Sequence, residues 1–396
     1  MIARLLVLSM GEENEEKSGV IVEFVRQDDL VSFQLSDLSN SIFSSLGLAG
    51  RPDVLGIGSS PAGRECLLLI DGMGLAALNE YSHLFPIFKE FTGSDSLTSH
   101  FPSTTATNLS SLGTGELAGV HGMLGYTVRV PRSGEPGRLL NALKWDERVD
   151  PLMWQKSATN FERAAASGIS ATHIAAKRYE GSGFTRAALR GCSYAGANQL
   201  SEIISSTRAA LRTAPSFAYV YLNNLDHAGH EAGVGSPSWL TAMQVVADLM
   251  KGLLENLPQG TRMWVTADHG MINVNESIVI GENNPLMDNV TLVGGEPRAR
   301  HIYLREGTQA ATQKIWEDYL GDRAQVFRKS ELVESGLLGP VVTEDSRDRL
   351  GDLTVVPADQ LILIDPSRVK QESSMVGHHG GLTPTELEIP LLIAQR

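Results

Sequence analysis

Short apolar runs that stop at an aspartate are the feature that most restricts the fold of this chain. A continuous apolar run of four to eight residues is typical of a strand whose two faces are both buried. Three of the runs are residues 66–70 before Asp71, 218–222 before Asp226 and 263–267 before Asp268. A fourth, residues 169–176, follows a short helical segment closed by Gly168. These runs predict the strands of a buried, mainly parallel sheet.

Helical patterns alternate with these predicted strands. Ser236 and Pro237 form a helix start, with serine as N-cap and proline at the first helical position. A second helix is predicted over about residues 197–211, and a packing helix lies within residues 28–47. The apolar face of this packing helix consists of Leu35, Leu38, Ile42, Phe43 and Leu46. Strand–helix alternation predicts the α/β class, with three α/β/α layers around a mainly parallel central sheet.

Residues 275–350 differ from the rest of the chain. They contain extended segments at 300–304 and 324–327 and a helical pattern at 309–320. We therefore predict a small α+β insertion, in which no chemical motif is visible. The predicted organisation is an N-terminal extension with the packing helix, a catalytic α/β core in two pieces and the insertion. Their bounds are 1–60 for the extension, 61–274 and 351–396 for the core, and 275–350 for the insertion.

Charge and cysteine content exclude several classes. A net charge of −13 argues against a protein that wraps nucleic acid along a basic face. It leaves a nucleotide substrate open, because metal ions supply positive charge locally. Two cysteines exclude a disulfide framework and a four-cysteine zinc site. The apolar N-terminal run is too short for a secretory signal, and no segment approaches the roughly 20 apolar residues of a membrane span, so a cytoplasmic location is expected.

Aspartates and histidines gather where the predicted strands end. The set is Asp71, Asp226, His230, Asp268, His269 and the C-terminal pair His378 and His379. The carboxyl ends of parallel strands meet at one edge of a sheet, where ligands bind. Several carboxylates and imidazoles at one place repel each other unless cations lie between them. Mixed Asp/His ligation suits zinc, and manganese as an alternative, so a divalent metal centre is expected.

A hydroxyl-rich stretch at residues 100–115 contains the nucleophile candidates. It begins a helix after Pro102, and a threonine at a helix start ordinarily acts as an N-cap. The same place also favours a phosphoryl group, because free backbone N–H groups point at it. A metal ion would lower the pKa of a hydroxyl there and make it a competent nucleophile. The residue types of this segment do not decide between an N-cap and a nucleophile, or between Thr104 and Thr105 as the nucleophile.

In this order, the motifs resemble those of the alkaline phosphatase superfamily, and within it the nucleotide pyrophosphatase/phosphodiesterase branch. The resemblance runs from about residue 65 to the end of the chain. The segments that carry it are 67–72, 101–108, 113–115, 121–122, 226–230, 266–270 and 379–384. It implies an alkaline phosphatase-like arrangement of the three layers.

The resemblance also implies two divalent metal ions, most simply zinc, and a role for each motif residue. One ion would be held by Asp226, His230 and His379, and the other by Asp71, Thr105, Asp268 and His269. Thr105 would be the nucleophile, and Asn108 would hold a non-bridging phosphoryl oxygen. His379 precedes two glycines, as in the family, and His378 is the alternative ligand.

The implied activity is hydrolysis of a phosphodiester or pyrophosphate through a phospho-threonine intermediate. The expected partner is a small phosphorylated substrate, with a nucleotide among the candidates. Ala106 and Thr107 stand where many nucleotide pyrophosphatases carry Phe-Pro, so the nucleoside contacts of that branch are not implied. Alternatives within the superfamily are a phosphonate hydrolase, a phosphomonoesterase and, less favoured, a metal-dependent mutase. The alternative from another class is a non-catalytic metal-binding protein on this fold.

Overall fold

A computed structural model describes residues 33–396 of the protein. In this part the chain forms seventeen strands: β1 Arg64–Ile70, β2 Thr92–Thr98, β3 Thr127–Val130, β4 Arg138–Asn141, β5 Ser170–Ala175, β6 Ser193–Gly196, β7 Ser216–Leu222, β8 Arg262–Thr266, β9 Ile272–Asn273, β10 Glu276–Val279, β11 Val290–Glu296, β12 Ala299–Leu304, β13 Ala324–Arg328, β14 Leu353–Pro357, β15 Leu361–Ile364, β16 Gly377–His378 and β17 Glu388–Gln395. The four apolar runs that predict strands correspond to β1, β5, β7 and β8.

The same residues form fifteen α-helices: α1 Leu35–Ser45, α2 Leu75–Tyr81, α3 Thr105–Thr114, α4 Ala118–His121, α5 Pro151–Trp154, α6 Asn160–Ala166, α7 Gly183–Ala188, α8 Leu200–Ala210, α9 Asn224–Ala232, α10 Pro237–Asn256, α11 Gln309–Leu320, α12 Lys329–Glu334, α13 Glu344–Arg349, α14 Val369–Glu372 and α15 Pro384–Leu387. Ser236 is the N-cap of α10, as predicted, and accepts the Trp239 N–H. The packing helix is α1, while residues 28–32 of its predicted range and the N-terminal run lie outside the described residues.

The central sheet has seven strands in the order β2-β17-β8-β1-β7-β5-β6. The five strands from β8 to β6 pair in parallel, and β17 and β2 add an antiparallel edge. Successive residues of β1 and β7 are buried, so both faces of each strand are covered. This is why the sequence of each strand is an apolar run. The predicted mainly parallel α/β sheet is confirmed.

A second, smaller core lies under the antiparallel sheet β11-β12-β14-β13. Trp316 of α11 is fully buried in this core. Two further strands, β14 and β15, lie beyond residue 350. β14 pairs with β12 and β13, and β15 pairs with β10. The division at residue 350 therefore stays a proposal, and the small sheets draw two strands from the predicted core segment.

The order of the central strands brings the aspartates together. Strand β1 lies between β8 and β7, and all three strands run in the same direction. Asp71 follows β1, Asp268 follows β8, and Asp226 lies in the first turn of α9 just after β7. Their side chains therefore meet at the carboxyl edge of the sheet. No helix within residues 33–396 is both long and apolar enough to cross a membrane.

A buried carboxylate fixes the opposite end of these strands. Glu65 on β1 has no exposed surface and accepts hydrogen bonds from the Arg262 guanidinium at 2.6 and 2.9 Å. It also accepts the indole N–H of Trp264 at 2.7 Å and the hydroxyl of Ser45 at 3.0 Å. One side chain therefore links β1, β8 and the end of α1.

We predict that Glu65→Ala lowers the free energy of unfolding by about 3–5 kcal/mol, because Arg262 is left as an uncompensated buried charge. Urea denaturation followed by circular dichroism measures this. The control is Glu255→Ala, which removes the partner of Lys251 in an exposed pair and should change stability little. Equal effects of the two substitutions would contradict the role given to Glu65.

Candidate metal centre

The first donor group consists of Asp226, His230 and His379. The Nε2 atoms of His230 and His379 lie 3.2 Å apart, and each lies within 3.7 Å of Asp226 Oδ1. The Nδ1 atom of His230 is 2.7 Å from the Gly377 carbonyl, and that of His379 is 2.9 Å from the Ser103 carbonyl. A carbonyl only accepts, so each Nδ1 carries a proton, and Nε2 is the ring atom that can bind a metal ion.

The second donor group consists of Asp71, Asp268 and His269. His269 Nε2 lies 3.4 Å from Asp71 Oδ1 and 3.5 Å from Asp268 Oδ2. Its Nδ1 atom is 2.9 Å from the Gly270 carbonyl and donates to it, so this imidazole also turns its Nε2 towards the carboxylates. The two groups are adjacent, because the rings of His269 and His379 stack with centroids 3.6 Å apart.

Thr105 belongs to the second donor group, and Thr104 does not. Thr105 is the first residue of α3, and its hydroxyl lies 3.2 Å from His269 Nε2 and 3.5 Å from Asp71 Oδ1. Thr104 is the N-cap of α3 and makes no side-chain capping bond. The geometry thus separates two threonines that local sequence chemistry leaves equivalent.

The buried charges in these groups oppose one another. Burial raises the pKa of Asp71, and the charges of Asp268 and Asp226 raise it further. Burial likewise raises the pKa of Asp268, and it lowers that of His379 well below its ordinary value. Asp226 Oδ1 and Asp268 Oδ2 are buried and have no hydrogen-bond partner in the described part of the chain. Cations between these atoms would remove the conflict.

The spacing of the donor atoms suits a metal ion. Neighbouring donors in the two groups lie 3.2–3.7 Å apart. Bonds of about 2.0–2.1 Å at tetrahedral angles place two ligand atoms about 3.3 Å apart. Candidate donor sets of this kind occur twice among residues 33–396, and they are the two groups described above.

Comparison with known proteins identifies the family. Residues 66–382 match the model of the type I phosphodiesterase/nucleotide pyrophosphatase family. The chain belongs to this family. It is therefore placed among the hydrolases of phosphodiesters and pyrophosphates, in the alkaline phosphatase superfamily. A search of curated proteins found no significant match.

Solved structures of similar fold include murine ectonucleotide pyrophosphatase/phosphodiesterase 5, at a TM-score of 0.66 and 16% identity over 84% of this chain and 88% of that one. An inactive Thr-to-Ala variant of the murine protein in complex with AMP has the same TM-score at 15% identity, over 84% and 87%. Phosphonoacetate hydrolase from Sinorhizobium meliloti, in complex with phosphonoacetate, has a TM-score of 0.63 at 18% identity over 85% and 90%.

Asn108, the predicted contact of a phosphoryl oxygen, makes hydrogen bonds to the backbone before α3. Its Oδ1 accepts the backbone N–H of His100 at 2.7 Å. Its Nδ2 lies 3.1–3.4 Å from the carbonyls of Thr104, His100 and Pro102. Since the fully buried amide is engaged with the backbone on both sides, a bond to a phosphoryl oxygen would require some of these contacts to break. Asn108 thus holds the loop before α3 in this family member.

His378 lies in neither donor group. It is buried on the short strand β16, and its Nε2 has no hydrogen-bond partner among the described residues. The ring centroid of His378 is 6.2 Å from that of His230, against 5.0 Å for His379. Of the two adjacent histidines, His379 is the one whose Nε2 meets the other donors.

Two polar side chains to which the sequence assigns no role, Ser103 and Glu386, hold the His379 loop. The Ser103 hydroxyl accepts the Gly380 N–H at 3.1 Å and donates to the Gly381 carbonyl at 2.8 Å. The Glu386 carboxylate accepts the Gly381 N–H at 2.8 Å and a bidentate pair from Arg298 at 2.8 and 3.1 Å. Sequence reasoning missed them because their partners are distant in the chain, although Glu386 stands three residues after Thr383 as in a capping box.

Tyr221, at the end of β7, is a further unpredicted contact of the donor groups. Its hydroxyl donates a hydrogen bond to Asp71 Oδ2, which leaves Oδ1 turned towards His269 and Thr105. Partners that orient a ligand carboxylate commonly tune metal affinity. The sequence around Tyr221 shows only an apolar strand, so this contact with Asp71 could not be predicted from it.

We predict that Ser103→Ala weakens zinc binding to one site by about tenfold, because the loop that carries His379 loses two hydrogen bonds. Titration with zinc against a competing chelator measures the affinity. The matched control is Ser110→Ala, since Ser110 is equally buried and bonds only to Ala106 within α3. Unchanged zinc affinity in Ser103→Ala, or equal losses in both variants, would contradict the role of Ser103.

Proposed function

We propose that this chain is a two-metal hydrolase that cleaves the phosphorus–oxygen bond of a phosphodiester or pyrophosphate, with Thr105 as nucleophile. The observation that carries the proposal is the position of the Thr105 hydroxyl. It lies beside His269 and Asp71, at the start of a helix and next to a second donor group. Family membership independently supports the class of reaction.

Two divalent ions fit the donor atoms. One would be held by Asp226, His230 and His379, and the other by Asp71, Asp268, His269 and Thr105. Oxygen and imidazole ligands at this spacing favour zinc, with manganese as the alternative. When bound, such ions supply Lewis-acid stabilisation of phosphoryl charge and lower the pKa of a coordinated hydroxyl.

The Thr105 oxygen attacks phosphorus in this proposal. A new bond forms between Oγ1 and phosphorus as the bond from phosphorus to the leaving oxygen breaks, and the threonine proton is released. Water then attacks phosphorus, breaks the bond to Oγ1 and returns a proton to the threonine. The free N–H groups in the first turn of α3 face the phosphoryl oxygens and stabilise their charge.

The proposed substrate is a small phosphorylated molecule. The complexes of structurally similar proteins with AMP and with phosphonoacetate motivate nucleotides and phosphonates as candidates. A phosphodiester is preferred to a phosphomonoester because the sequence has no arginine beside Thr105 to neutralise a second phosphoryl charge. The cytoplasmic location stays a prediction.

We predict that zinc-loaded protein hydrolyses bis(4-nitrophenyl) phosphate faster than 4-nitrophenyl phosphate and faster than phosphonoacetate. Release of nitrophenolate and of phosphate measures the three rates on one preparation. A higher rate with phosphonoacetate would favour the phosphonate hydrolase, and a higher rate with the monoester would favour a phosphomonoesterase. No turnover, together with fewer than about one bound ion per chain, would favour a non-catalytic protein.

We predict that Thr105→Ala lowers kcat by about 10³-fold or more, because the attacking oxygen is removed. Bound zinc, measured by elemental analysis, should remain near two ions per chain, since three other donors serve each ion. The matched control is Thr104→Ala, which removes the neighbouring hydroxyl and should retain most of the activity. Wild-type turnover by Thr105→Ala would overturn the covalent mechanism.

A further inference from the structure

Two neighbouring cavities open at the carboxyl edge of the central sheet. The smaller one, of about 120 Å³, is bordered by Asp71, Thr105 and Asp226 at the donor groups. The larger one, of about 450 Å³, is lined by residues just after β5 and β6, by the end of β7 and by the start of α9. We call it the Arg178 cavity. Its volume is typical of small-molecule sites, and ligands of parallel sheets bind at this edge.

Single side chains separate the two cavities. Tyr179, Tyr221 and Asn223 line both of them, and the rings of the two tyrosines lie 6.1 Å apart. The Tyr221 hydroxyl donates a hydrogen bond to Asp71 at the donor groups. A substituent on a phosphoryl group at Thr105 that extends past these side chains therefore arrives in the Arg178 cavity.

Arg178 brings an uncompensated positive charge to this cavity. It lies in the short turn after β5 and forms no ion pair with a carboxylate of the described residues, whereas its neighbour Lys177 lies 3.7 Å from Glu202. None of the residues found to line the cavity is aspartate or glutamate. In a chain with a net charge of −13, this lining is suited to an anion. The forked guanidinium of arginine recognises carboxylate and phosphate groups.

The Arg178 guanidinium is held in place by uncharged partners. Its Cζ atom lies 4.9 Å from the centroid of the Tyr179 ring. Its Nη2 donates to the Tyr179 hydroxyl at 2.8 Å and lies 3.4 Å from Asn223 Oδ1. Asn223 Nδ2 donates to the same hydroxyl at 2.8 Å. These contacts fix the guanidinium without neutralising it, so less conformational entropy is lost when an anion binds.

The remaining polar lining supplies hydrogen-bond donors. Asn198 Oδ1 accepts the Lys177 N–H at 3.1 Å, which leaves its Nδ2 as the group that can donate to a ligand. Asn223 is the N-cap of α9, but its side chain makes no capping bond, so the first backbone N–H groups of α9 lack a side-chain acceptor. These donors add to the charge of Arg178 at the same cavity.

We propose that the Arg178 cavity binds a second anionic group, a carboxylate or a phosphate, at the far end of one substituent of the substrate's phosphoryl group. Arg178 is then a specificity-determining residue. The inference rests on the proposed function, since that function places the attacked phosphoryl group at Thr105. It narrows the substrate class to phosphoesters that carry a further negative charge away from the attacked phosphorus.

Direct binding of phosphonates to the zinc-loaded, full-length protein tests the proposal without requiring turnover. Isothermal titration calorimetry compares heptylphosphonate, 6-carboxyhexylphosphonate and hexane-1,6-bisphosphonate, and then the corresponding shorter and longer chains. At the chain length that spans the two cavities, the ligands with an anionic end should bind about tenfold more tightly than the neutral one, because only they pair with Arg178. A larger gain for the carboxylate or for the bisphosphonate identifies which anion the cavity takes.

Arg178→Gln removes the charge and should bring the ligands with an anionic end to within about twofold of the neutral ligand, whose affinity should not change. Arg178→Lys keeps the charge but loses the fork, and it should retain part of the preference. The matched control is Arg186→Gln, because Arg186 is an exposed arginine of α7 outside the cavity and should leave the preference unchanged.

Equal affinity for charged and neutral chain ends at every length would overturn the Arg178 cavity as an anion site. A preference that persists in Arg178→Gln would overturn the role of Arg178 and assign the second anion to the metal centre. If no phosphonate binds to zinc-loaded protein, the proposed function fails together with this inference. Binding with the expected preference but without diester hydrolysis would instead support the cavity and reject only the proposed reaction.

Discussion

The mutual repulsion of buried donor groups at the carboxyl edge of β8, β1 and β7 is the constraint on which the rest of the structure depends. Three imidazoles turn their Nε2 atoms towards each other or towards carboxylates. Buried carboxylates packed this closely are costly unless they bind cations or take up protons. The fold holds the donors in place although they repel, and this rigidity is what prepares the site for cations and for an anionic substrate.

Rigidity at this edge comes from backbone contacts more than from the apolar core. Each imidazole is oriented by one carbonyl, and the carbonyls belong to three separate segments. Close packing of these segments leaves no room for side chains, since a Cβ on Gly270 would lie 1.9 Å from the Thr385 carbonyl oxygen. The glycines after the aspartate and histidine motifs are thus part of the geometry that fixes the donors.

The sequence was sufficient for four of the five parallel strands, β1, β5, β7 and β8, and for the aspartates just after three of them, because each of these signals is local. Apolar runs such as that of β1 reveal burial, and an aspartate just beyond the run marks the strand end. Ser103, Arg298 and Glu386 were not predictable, since their partners are brought together only by the tertiary fold. The role of Asn108 as a substrate contact stays a prediction, and its hydrogen bonds to the preceding loop are invisible without coordinates. The pairing of β14 with β12 and β13 is equally non-local, although β14 lies in the predicted core segment.

The ion pair between Arg298 and Glu386 joins the small sheet to the loop that carries His379, and both side chains are fully buried. Order of assembly follows from this contact. The His379 loop lacks this anchor until the small sheet has folded and placed the Arg298 guanidinium beside Glu386. Metal binding would then come late in folding. It would indicate that the small sheet, which contributes no ligand, has already folded.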